Sequence, residues 1–287
     1  MHDLYTGYER REYRHRLGDG GYQSDVFAEP GGFVMSDDHR AVLFDFFGTL
    51  TRAVTRGPGH ARVARLLGCD PGWFTAKLDH SYQARLRGDY GDSATTLYRI
   101  ARQLGRRPSA DDVAAAARAR RQAIGGDINL RAGAVWTLWM IQTWGLRTAL
   151  VSDCTQELPE IVAALPVAAH LDATVYSVEV GAAKPDPAMY LTACARLGVS
   201  PEQCVYLGDG GGRELTGARK LGMMAVRLAA PDLSEHLVFD ADHDWDGPTI
   251  IDLRELPRLV LPGWRRPTGP YWASEPGHGE LVAAGTS

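Results

Sequence analysis

The chain has 287 residues, 45% of them hydrophobic, which is enough to bury a sizeable core in one large or two modest domains. Its formal net charge of −4 and sequence pI near 6.1 offer no basic field for nucleic acid. The four cysteines form no CxxC pair, and no apolar run resembles a signal peptide or a membrane span. We therefore expect a soluble, cytoplasmic protein with no nucleic-acid or membrane partner.

The two ends of the chain differ from its middle. Residues 1–37 are polar, rich in Arg and Gly, and without sustained apolar periodicity. They predict a partly disordered N-terminal extension outside the core, with a basic binding arm as the alternative. Residues 263–287, where Gly, Pro and Ser dominate, predict a disordered tail.

The run Ala41–Phe44 is apolar throughout and leads directly into Asp45 and a Phe-Phe-Gly-Thr turn. Such a run is typical of a strand buried in a parallel sheet. In open α/β sheets the chemistry lies just beyond the carboxyl ends of such strands, so Asp45 stands where a reactive carboxylate is useful. Taken alone, the motif also fits an Asp that caps the turn.

The next part of the chain contains helical patterns and no predicted strand. Four stretches with helical character each end at a glycine: His60–Leu67, Pro71–Arg87, Ser93–Leu104 and Ser109–Ile124. Together they predict a small helical bundle inserted at residues 55–130.

From residue 131 onward, strands and helices alternate. The predicted elements are a helix at Ala132–Trp144, strands at Arg147–Ser152, Ala173–Val178, Cys204–Leu207 and Met224–Leu228 as the last clear strand, and helices after Lys184 and at Arg213–Leu221. Right-handed βαβ crossovers would gather the strands into one parallel sheet. The predicted fold class is α/β, with a core of residues 38–54 and 131–262.

The predicted strand ends supply a set of polar side chains: Asp45, Thr49, Ser152, Lys184, Asp209 and Glu214. An aspartate can attack phosphorus to form an aspartyl-phosphate, and carboxylates are hard oxygen ligands for Mg²⁺. Hydroxyls can donate to phosphoryl oxygens, and a lysine can offset their charge. Taken singly, Ser152 also fits an ordinary helix cap, and Glu214 also fits a residue that complements a helix N-terminus.

With these residues the chain resembles the haloacid dehalogenase superfamily, across roughly 40–260. Four segments are similar to its four motifs in order: Asp45-Phe46-Phe47-Gly48-Thr49, Val151-Ser152, Lys184-Pro185-Asp186-Pro187, and Gly208-Asp209 with Glu214. The resemblance implies a Rossmann-like core, a helical cap that closes over a small-molecule substrate, and usually Mg²⁺-dependent phosphoryl transfer.

The resemblance also implies roles for individual residues. The predicted catalytic residues are Asp45, Thr49, Ser152 and Lys184. The predicted metal-binding residues, for Mg²⁺, are Asp45, Phe47, Asp209 and Glu214. The predicted substrate-binding residues are Phe47, Gly48, Asp153 and Arg52. Of these, Asp153 also fits a capping residue, and Arg52 is predicted only as one of the polar residues of the bundle that could contact a substrate.

One position departs from the family's phosphatases. Most of them carry a second Asp two residues after the nucleophile, where this chain has Phe47. The family's true dehalogenases have an aromatic residue there, because halide leaves without a proton. Phosphonate-cleaving and ATP-driven members also lack that Asp.

The fourth motif favours the opposite interpretation, because dehalogenases typically lack the acidic residues corresponding to Asp209 and Glu214. We therefore expect a Mg²⁺-dependent phosphatase or phosphotransferase that acts on a small phosphorylated metabolite. The alternatives are a metal-free 2-haloacid dehalogenase that uses the same Asp45 nucleophile, and a non-catalytic binding protein with the same fold.

Other residues have less specific interpretations. Trp136, Trp139 and Trp144 are interpreted as packing residues on a helix, with a homodimer contact as the alternative. Polar residues of the bundle that could contact a substrate are Arg56, His60, Asp79, His80 and Asp89, although each is individually typical of a solvated surface.

Overall fold

The computed structural model describes residues 39–236 and 240–261. The predicted N-terminal extension at 1–37 and the predicted tail at 263–287 lie outside the described residues. The described part consists of a parallel sheet flanked by helices and a helical bundle inserted after the first strand.

The strands are β1 Ala41–Phe44, β2 Arg147–Ser152, β3 Ala173–Tyr176, β4 Cys204–Gly208, β5 Met224–Leu228 and β6 Thr249–Ile250. They form one six-stranded sheet in the order β3-β2-β1-β4-β5-β6, and every neighbouring pair is parallel. The chain runs from β1 outward to β3 and then crosses back to β4 on the other side of β1. Such a reversal leaves a crevice at the carboxyl ends of the central strands. The predicted α/β class with a Rossmann-like parallel sheet is confirmed.

The helices of the bundle are α1 Gly59–Leu66, α2 Pro71–His80, α3 Tyr82–Leu86, α4 Ser93–Gln103 and α5 Ala110–Asp127. The helices that follow are α6 Ala134–Thr143, α7 Leu158–Ala163, α8 Ser177–Val180, α9 Pro187–Leu197, α10 Glu214–Lys220 and α11 Leu256–Val260. Within the described ranges, no helix is long and apolar enough to cross a membrane.

The core lies on both faces of the sheet, which explains the unbroken apolar run of β1. Val42 and Phe44 belong to one buried cluster, together with Leu138 of α6. The alternate residue Leu43 belongs to the cluster on the opposite face, with Tyr190 of α9. Because successive side chains of a strand point to opposite faces, a strand that is covered on both sides needs apolar residues at every position.

The bundle has an apolar core of its own. This third cluster includes Val63 of α1, Phe74 of α2 and Leu97 of α4. The helices α2, α4 and α5 begin at side-chain caps, among them Asp92 on Thr95 N and Ser109 on Asp112 N. The bundle is therefore a locally specified unit and not an irregular loop.

The two connections between bundle and sheet run side by side. Thr51 and Leu130 form an isolated antiparallel bridge. On either side of it, Arg52 N donates to Asn129 O at 2.8 Å and Arg131 N donates to Leu50 O at 2.8 Å. The chain thus leaves the sheet and returns to it through one hydrogen-bonded pair of segments.

Two predicted helix boundaries were wrong. The helix predicted at Pro71–Arg87 is broken at Ser81, whose hydroxyl donates to Lys77 O at 2.9 Å and Leu78 O at 3.1 Å. Such back-bonding by serine competes with the helical ladder. The last bundle helix does not stop at Gly125-Gly126 but continues to Asp127, whose carboxylate accepts from Gly57 N at 3.1 Å. That tertiary contact outweighs the low helix propensity of glycine.

Two strand predictions were also wrong. The strand predicted at Ala173–Val178 ends at Tyr176, and Ser177 instead accepts a hydrogen bond from Cys154 N at 2.9 Å through its hydroxyl. Met224–Leu228 is not the last strand, because the two residues of β6 pair with its end. Two residues are too short to give a periodic signal in the sequence.

Candidate active site

Three polar residues lie at the carboxyl ends of neighbouring strands. Asp45 directly follows β1, Ser152 ends β2, and Asp209 directly follows β4. In the register of the sheet, Phe44 pairs with Leu150 on one side and Leu207 on the other. The parallel arrangement therefore brings these three side chains to one edge, at the crevice beside β1.

Lys184 links the acidic residues of this edge. Its Nζ donates to Asp45 Oδ1 at 2.6 Å, to Glu214 Oε2 at 2.5 Å and to the Tyr206 hydroxyl at 3.3 Å. Burial lowers the pKa of Lys184, but the carboxylates of Asp45 and Glu214 outweigh this effect and raise the pKa well above its usual value. Lys184 is therefore a fixed cation at the centre of the site.

Three carboxylates surround this one cation. Oxygens of Asp45, Asp209 and Glu214 lie within 4.8 Å of one another. Burial, and then the nearby charge of Asp45, raise the pKa of both Asp209 and Glu214. Three carboxylates and one ammonium leave a formal charge of −2, which one divalent cation would balance.

The carboxylate oxygens differ in what they already contact. Asp45 Oδ2 is buried and has no hydrogen-bond partner among the described residues. Asp209 Oδ1 accepts from Gly211 N at 2.9 Å, and its Oδ2 lies 3.5 Å from His236 Nε2. Both oxygens of Glu214 are engaged, because Oε1 accepts from Gly210 N at 3.0 Å and Oε2 accepts from Lys184. Asp45 and Asp209 thus have oxygens left for a metal, and Glu214 chiefly orients Lys184.

This donor set fits Mg²⁺, which prefers oxygen ligands and is usually bound by one or two carboxylates with water. Phe47 was also predicted to bind the metal. Its side chain has no ligand atom, so it can contribute only through its main-chain carbonyl.

Two hydroxyls of the predicted catalytic set lack partners. Thr49 Oγ1 and Ser152 Oγ are buried, and no group of the described chain hydrogen-bonds to either. Buried hydroxyls are nearly always hydrogen-bonded in folded proteins. These two atoms are therefore unpaired donors, although neither residue lines either cavity of the site.

The turn after Asp45 requires glycine at its centre. Gly48 has φ of +81°, and a Cβ at this position would lie 2.7 Å from Asp209 Oδ2. Both the backbone conformation and the lack of space exclude a side chain. Gly48 thus allows the turn to approach the Asp209 carboxylate closely.

The remaining predicted residues occupy different places. Phe47 is half-buried, with its ring edge-on to Phe46 at a centroid distance of 5.1 Å. Asp153 accepts from Lys184 N at 3.0 Å, and burial raises the pKa of its carboxyl. Arg52 is exposed and is not among the residues that line either cavity of the site. The structure therefore does not bring Arg52 to the other predicted residues.

Two cavities meet at this edge of the sheet. The catalytic cavity, about 270 Å³ in volume, includes Asp45, Lys184 and Asp209 in its lining. The bundle cavity, about 180 Å³ in volume, includes Arg85 and Arg120 in its lining. Four residues line both cavities: Phe47, Tyr82, Asp153 and His236. A ligand in one cavity can thus extend into the other.

Sequence reasoning missed Arg131, which holds the turn after Asp45. Its guanidinium donates to the carbonyls of Gly48 at 2.9 Å, Thr49 at 3.2 Å and Thr51 at 3.1 Å, and pairs with Asp232 at 2.6 Å. The only signal in the sequence is its position at the predicted boundary between bundle and core.

His236 was missed as well, and its tautomer follows from one contact. Its Nδ1 accepts from Val54 N at 2.9 Å, so the ring proton is on Nε2, which faces Asp209. A lone histidine on a loop gives no signal in the sequence that would connect it with Asp45.

Comparison with known proteins agrees with this geometry. Residues 39–222 match a family described as haloacid dehalogenase-like hydrolase. The chain is 44% identical over 54 residues to glyceraldehyde 3-phosphate phosphatase of Methanopyrus kandleri, a match that covers 19% of this chain and 23% of that protein. It is 26% identical over 234 residues to (S)-2-haloacid dehalogenase 1 of a Pseudomonas species, covering 78% of this chain and 98% of that protein.

A solved structure, L-2-haloacid dehalogenase from Xanthobacter autotrophicus, superposes with a TM-score of 0.55 at 21% identity, covering 79% of this chain and 100% of that chain. At that identity the likeness concerns the fold. The relatives include both phosphatases and dehalogenases, so they agree on the family and differ in activity. Because the family match extends over more than half of its length, the chain belongs to the haloacid dehalogenase-like hydrolases.

Proposed function

We propose that this hydrolase is a Mg²⁺-dependent phosphatase or phosphotransferase, which acts on a small phosphorylated metabolite through an aspartyl-phosphate at Asp45. The observation that carries the proposal is the cluster of Asp45, Asp209 and Glu214, whose oxygens lie within 4.8 Å of one another. A site with this many carboxylates favours a substrate that arrives together with a divalent cation.

The charge of the site argues against the metal-free alternative. A 2-haloacid is an anion and would enter a cavity in which Lys184 is surrounded by the carboxylates of Asp45, Asp209 and Glu214. Among the described residues, Lys184 is the only Lys or Arg that lines the catalytic cavity. Without a metal, a carboxylate substrate would be repelled, and in a buried site such repulsion costs several kcal/mol (roughly 4 kcal/mol for one pair at 4 Å and an effective dielectric of 20).

The proposed reaction has two steps. Asp45 Oδ2 attacks phosphorus while Lys184 holds Oδ1, and the bond from phosphorus to the leaving oxygen breaks with its electron pair going to that oxygen. Water, or a hydroxyl acceptor in a phosphotransferase, then attacks phosphorus and frees the Asp45 carboxylate. Thr49 and Ser152 supply the hydrogen-bond donors for the phosphoryl oxygens.

The metal would be held by Asp45 and Asp209, with Glu214 acting through Lys184 or through water. When bound, Mg²⁺ supplies charge neutralisation for the phosphoryl oxygens. We also propose that the helical bundle is the cap of this active site, because Tyr82, at the start of α3, lines the catalytic cavity together with Asp45.

Phe47 supports a second candidate function, the 2-haloacid dehalogenase. A relative that is matched over most of its own length is a dehalogenase, and an aromatic residue two positions after the nucleophile suits a leaving group that takes no proton. A phosphatase with Phe47 would favour phosphates whose leaving groups depart without a general acid, such as acyl or aryl phosphates.

The deciding experiment measures phosphate release and halide release on the same preparation, with Mg²⁺ and with EDTA. The proposal expects phosphate release from aryl or acyl phosphates that requires Mg²⁺ and is lost in Asp45→Asn. Chloride release from 2-chloropropionate that persists in EDTA would overturn it in favour of the dehalogenase.

A further inference from the structure

Arg85, on α3 of the bundle, is a buried cation without a carboxylate of its own. The residue is 6% exposed and lines the bundle cavity. Its Nε donates to Ser81 Oγ at 3.2 Å and its Nη2 donates to Leu78 O at 2.9 Å, both neutral acceptors. Within the described residues, no carboxylate lies within ion-pair distance of Arg85.

A second buried arginine lies close to the first. Arg120, on α5, donates from Nε to Glu157 Oε1 at 2.7 Å, and this pair is also buried. Burial, and then the charge of Arg120, lower the pKa of Arg85 to about 10, which still leaves it charged at neutral pH. Glu157 thus pairs with Arg120, and the charge of Arg85 has no ion-pair partner among the described residues.

None of the other charged groups in the lining of the bundle cavity forms an ion pair with Arg85 in the part of the chain that the structure describes. Arg56 is paired with Asp79, and His60 Nε2 lies 2.7 Å from Asp127 Oδ2. Asp153 lines both cavities and accepts from the Lys184 main chain. Uncompensated buried charge destabilises a fold, so a site that keeps it is typical of a ligand of opposite charge.

We propose that Arg85, with Arg120 beside it, binds a second anionic group of the substrate, at the end away from the phosphate. The inference rests on the proposed function, which supplies the first anion at Asp45. Arginine suits this task because its guanidinium binds carboxylate and phosphate oxygens in a fork.

The shape of the bundle cavity defines the substrate further. Its volume of about 180 Å³ has room for a short carbon skeleton. Between the charged groups its walls are apolar: Phe47, Val54, Leu78, Ile124 and Leu158. The substrate class is therefore a small phosphate compound with a short apolar middle and a carboxylate or second phosphate at its far end.

Isothermal titration calorimetry with unreactive phosphonates tests this inference without turnover. The probes are 3-phosphonopropionate, propane-1,3-diylbisphosphonate and propylphosphonate, each titrated in the presence of Mg²⁺. We expect wild-type protein to bind at least one of the two probes that have an anionic group at each end ~10-fold or more tightly than propylphosphonate. One charge-assisted hydrogen-bonded contact is worth about 1.5–3 kcal/mol. Which of the two binds more tightly identifies the second anion.

Four proteins complete the design: wild type, Arg85→Gln, Arg85→Lys and, as matched control, Arg118→Gln, which removes an exposed cation of α5. The preference should disappear in Arg85→Gln, survive in part in Arg85→Lys and be unchanged in Arg118→Gln. Equal binding of all three phosphonates by the wild type would overturn the inference, as would a preference that persists in Arg85→Gln.

A separate measurement distinguishes failure of this inference from failure of the proposed function. If no phosphonate binds with Mg²⁺, the proposed function fails, and the bundle cavity is then tested alone with glutarate in a thermal-shift series. Glutarate should raise the Tm of wild type and Arg118→Gln but not of Arg85→Gln. Absence of that difference would overturn the second-anion site by itself.

Discussion

The catalytic cavity and the bundle cavity present buried charges of opposite sign although they share part of their lining. Around Asp45, three carboxylates surround one lysine, whereas Glu157 pairs with Arg120 and leaves Arg85 without an ion pair among the described residues. Neither arrangement is one that stability alone would retain, because buried charge without a partner is costly. Under the proposed function, a metal with phosphate would balance the charge of the catalytic cavity, the acidic end of the crevice, and a second anion would balance the charge of the bundle cavity, its basic end.

The largest expected effect comes from Asp45→Asn, which removes the proposed nucleophile from the catalytic cavity. Loss of a covalent nucleophile should lower kcat by ~10³-fold or more. The free energy of unfolding should change little, because the variant also removes one of the mutually repelling carboxylates. Phosphate release and denaturant unfolding check the two expectations. Near-normal turnover in the variant would contradict the assignment of Asp45.

Beryllofluoride sharpens the same test, since it mimics a phosphoryl group on an aspartate. It should bind wild-type protein only with Mg²⁺ and should not bind Asp45→Asn. Fluorine NMR measures this binding without substrate. A metal-independent signal would contradict the view that the acidic end needs a divalent cation.

The next effect concerns Phe47, at the boundary of the two cavities. A positioned general acid is typically worth ~10²–10⁴ in rate, so wild-type kcat/KM should rise steeply as the leaving-group pKa falls. Phe47→Asp should raise kcat/KM for alkyl phosphates and flatten that dependence. Phe47→Leu is the control that removes the ring without adding an acid. If the wild type already cleaves alkyl phosphates rapidly, another group supplies the proton, and the structure makes His60 and its partner Asp127 the pair to test.

Substitution of Glu157 tests the ion pair with Arg120 beside the bundle cavity, through protein stability instead of reaction rate. Burial raises the pKa of Glu157, but Arg120 and the hydroxyls of Thr155 and Ser93 outweigh it and hold the pKa at about 2. The folded pKa lies below the unfolded value, so the stabilisation is fully present above about pH 4.5 and is lost as the pH falls towards 2.

Glu157→Gln should therefore lose on the order of 3 kcal/mol at pH 7 and less at pH 3. The control Glu160→Gln removes an exposed partner of Arg121 and should lose less than about 1 kcal/mol. Urea unfolding at pH 7 and pH 3 measures both. An equal loss at the two pH values would contradict the ion pair as the cause.

The smallest effect is the response to Mg²⁺. At 100 times its Kd, a ligand of the folded state stabilises by ~2.7 kcal/mol, so the Tm of the wild type should rise with Mg²⁺. Asp209→Asn should be at least as stable as the wild type without metal and should gain much less from Mg²⁺. Asp246→Asn, on an exposed residue paired with Arg219, is the control that keeps the full response. A full response in Asp209→Asn would remove Asp209 from the metal site.

The carboxylates of the catalytic cavity were predictable from the sequence, and the arginines of the bundle cavity were not. Asp45 and Asp209 each follow an apolar run directly, and the rule that parallel strands end at one edge brings them together. Arg85 gives no such signal, because one arginine in a helix full of polar residues is indistinguishable from a solvated charge. Its burial depends on how α3 packs, and the sequence pattern merged α3 with α2 into one helix.

The predicted helices and strands agree with the structure where the elements are long and regular. They differ from it where a single tertiary contact determines where an element ends. β1, β2 and β4 have apolar runs that specify a buried strand without further information. β6 has two residues, and α5 passes two glycines because Asp127 is anchored beyond them. His236 and Arg131 reach Asp45's turn from distant loops, and no local pattern encodes that approach.

The bridge between Thr51 and Leu130 limits how the bundle could move to admit a ligand to the crevice. A body that is tied to its base at two adjacent points can swing about the line through them but resists twisting and sliding. A swing of the bundle about that line would have to break the contacts of Glu157 with Arg120 and Ser93, whereas Arg131 holds the nucleophile turn beside the axis. Swinging would widen the entrance while Asp45 stays fixed, so the width of the opening and the alignment of the nucleophile are separately controlled.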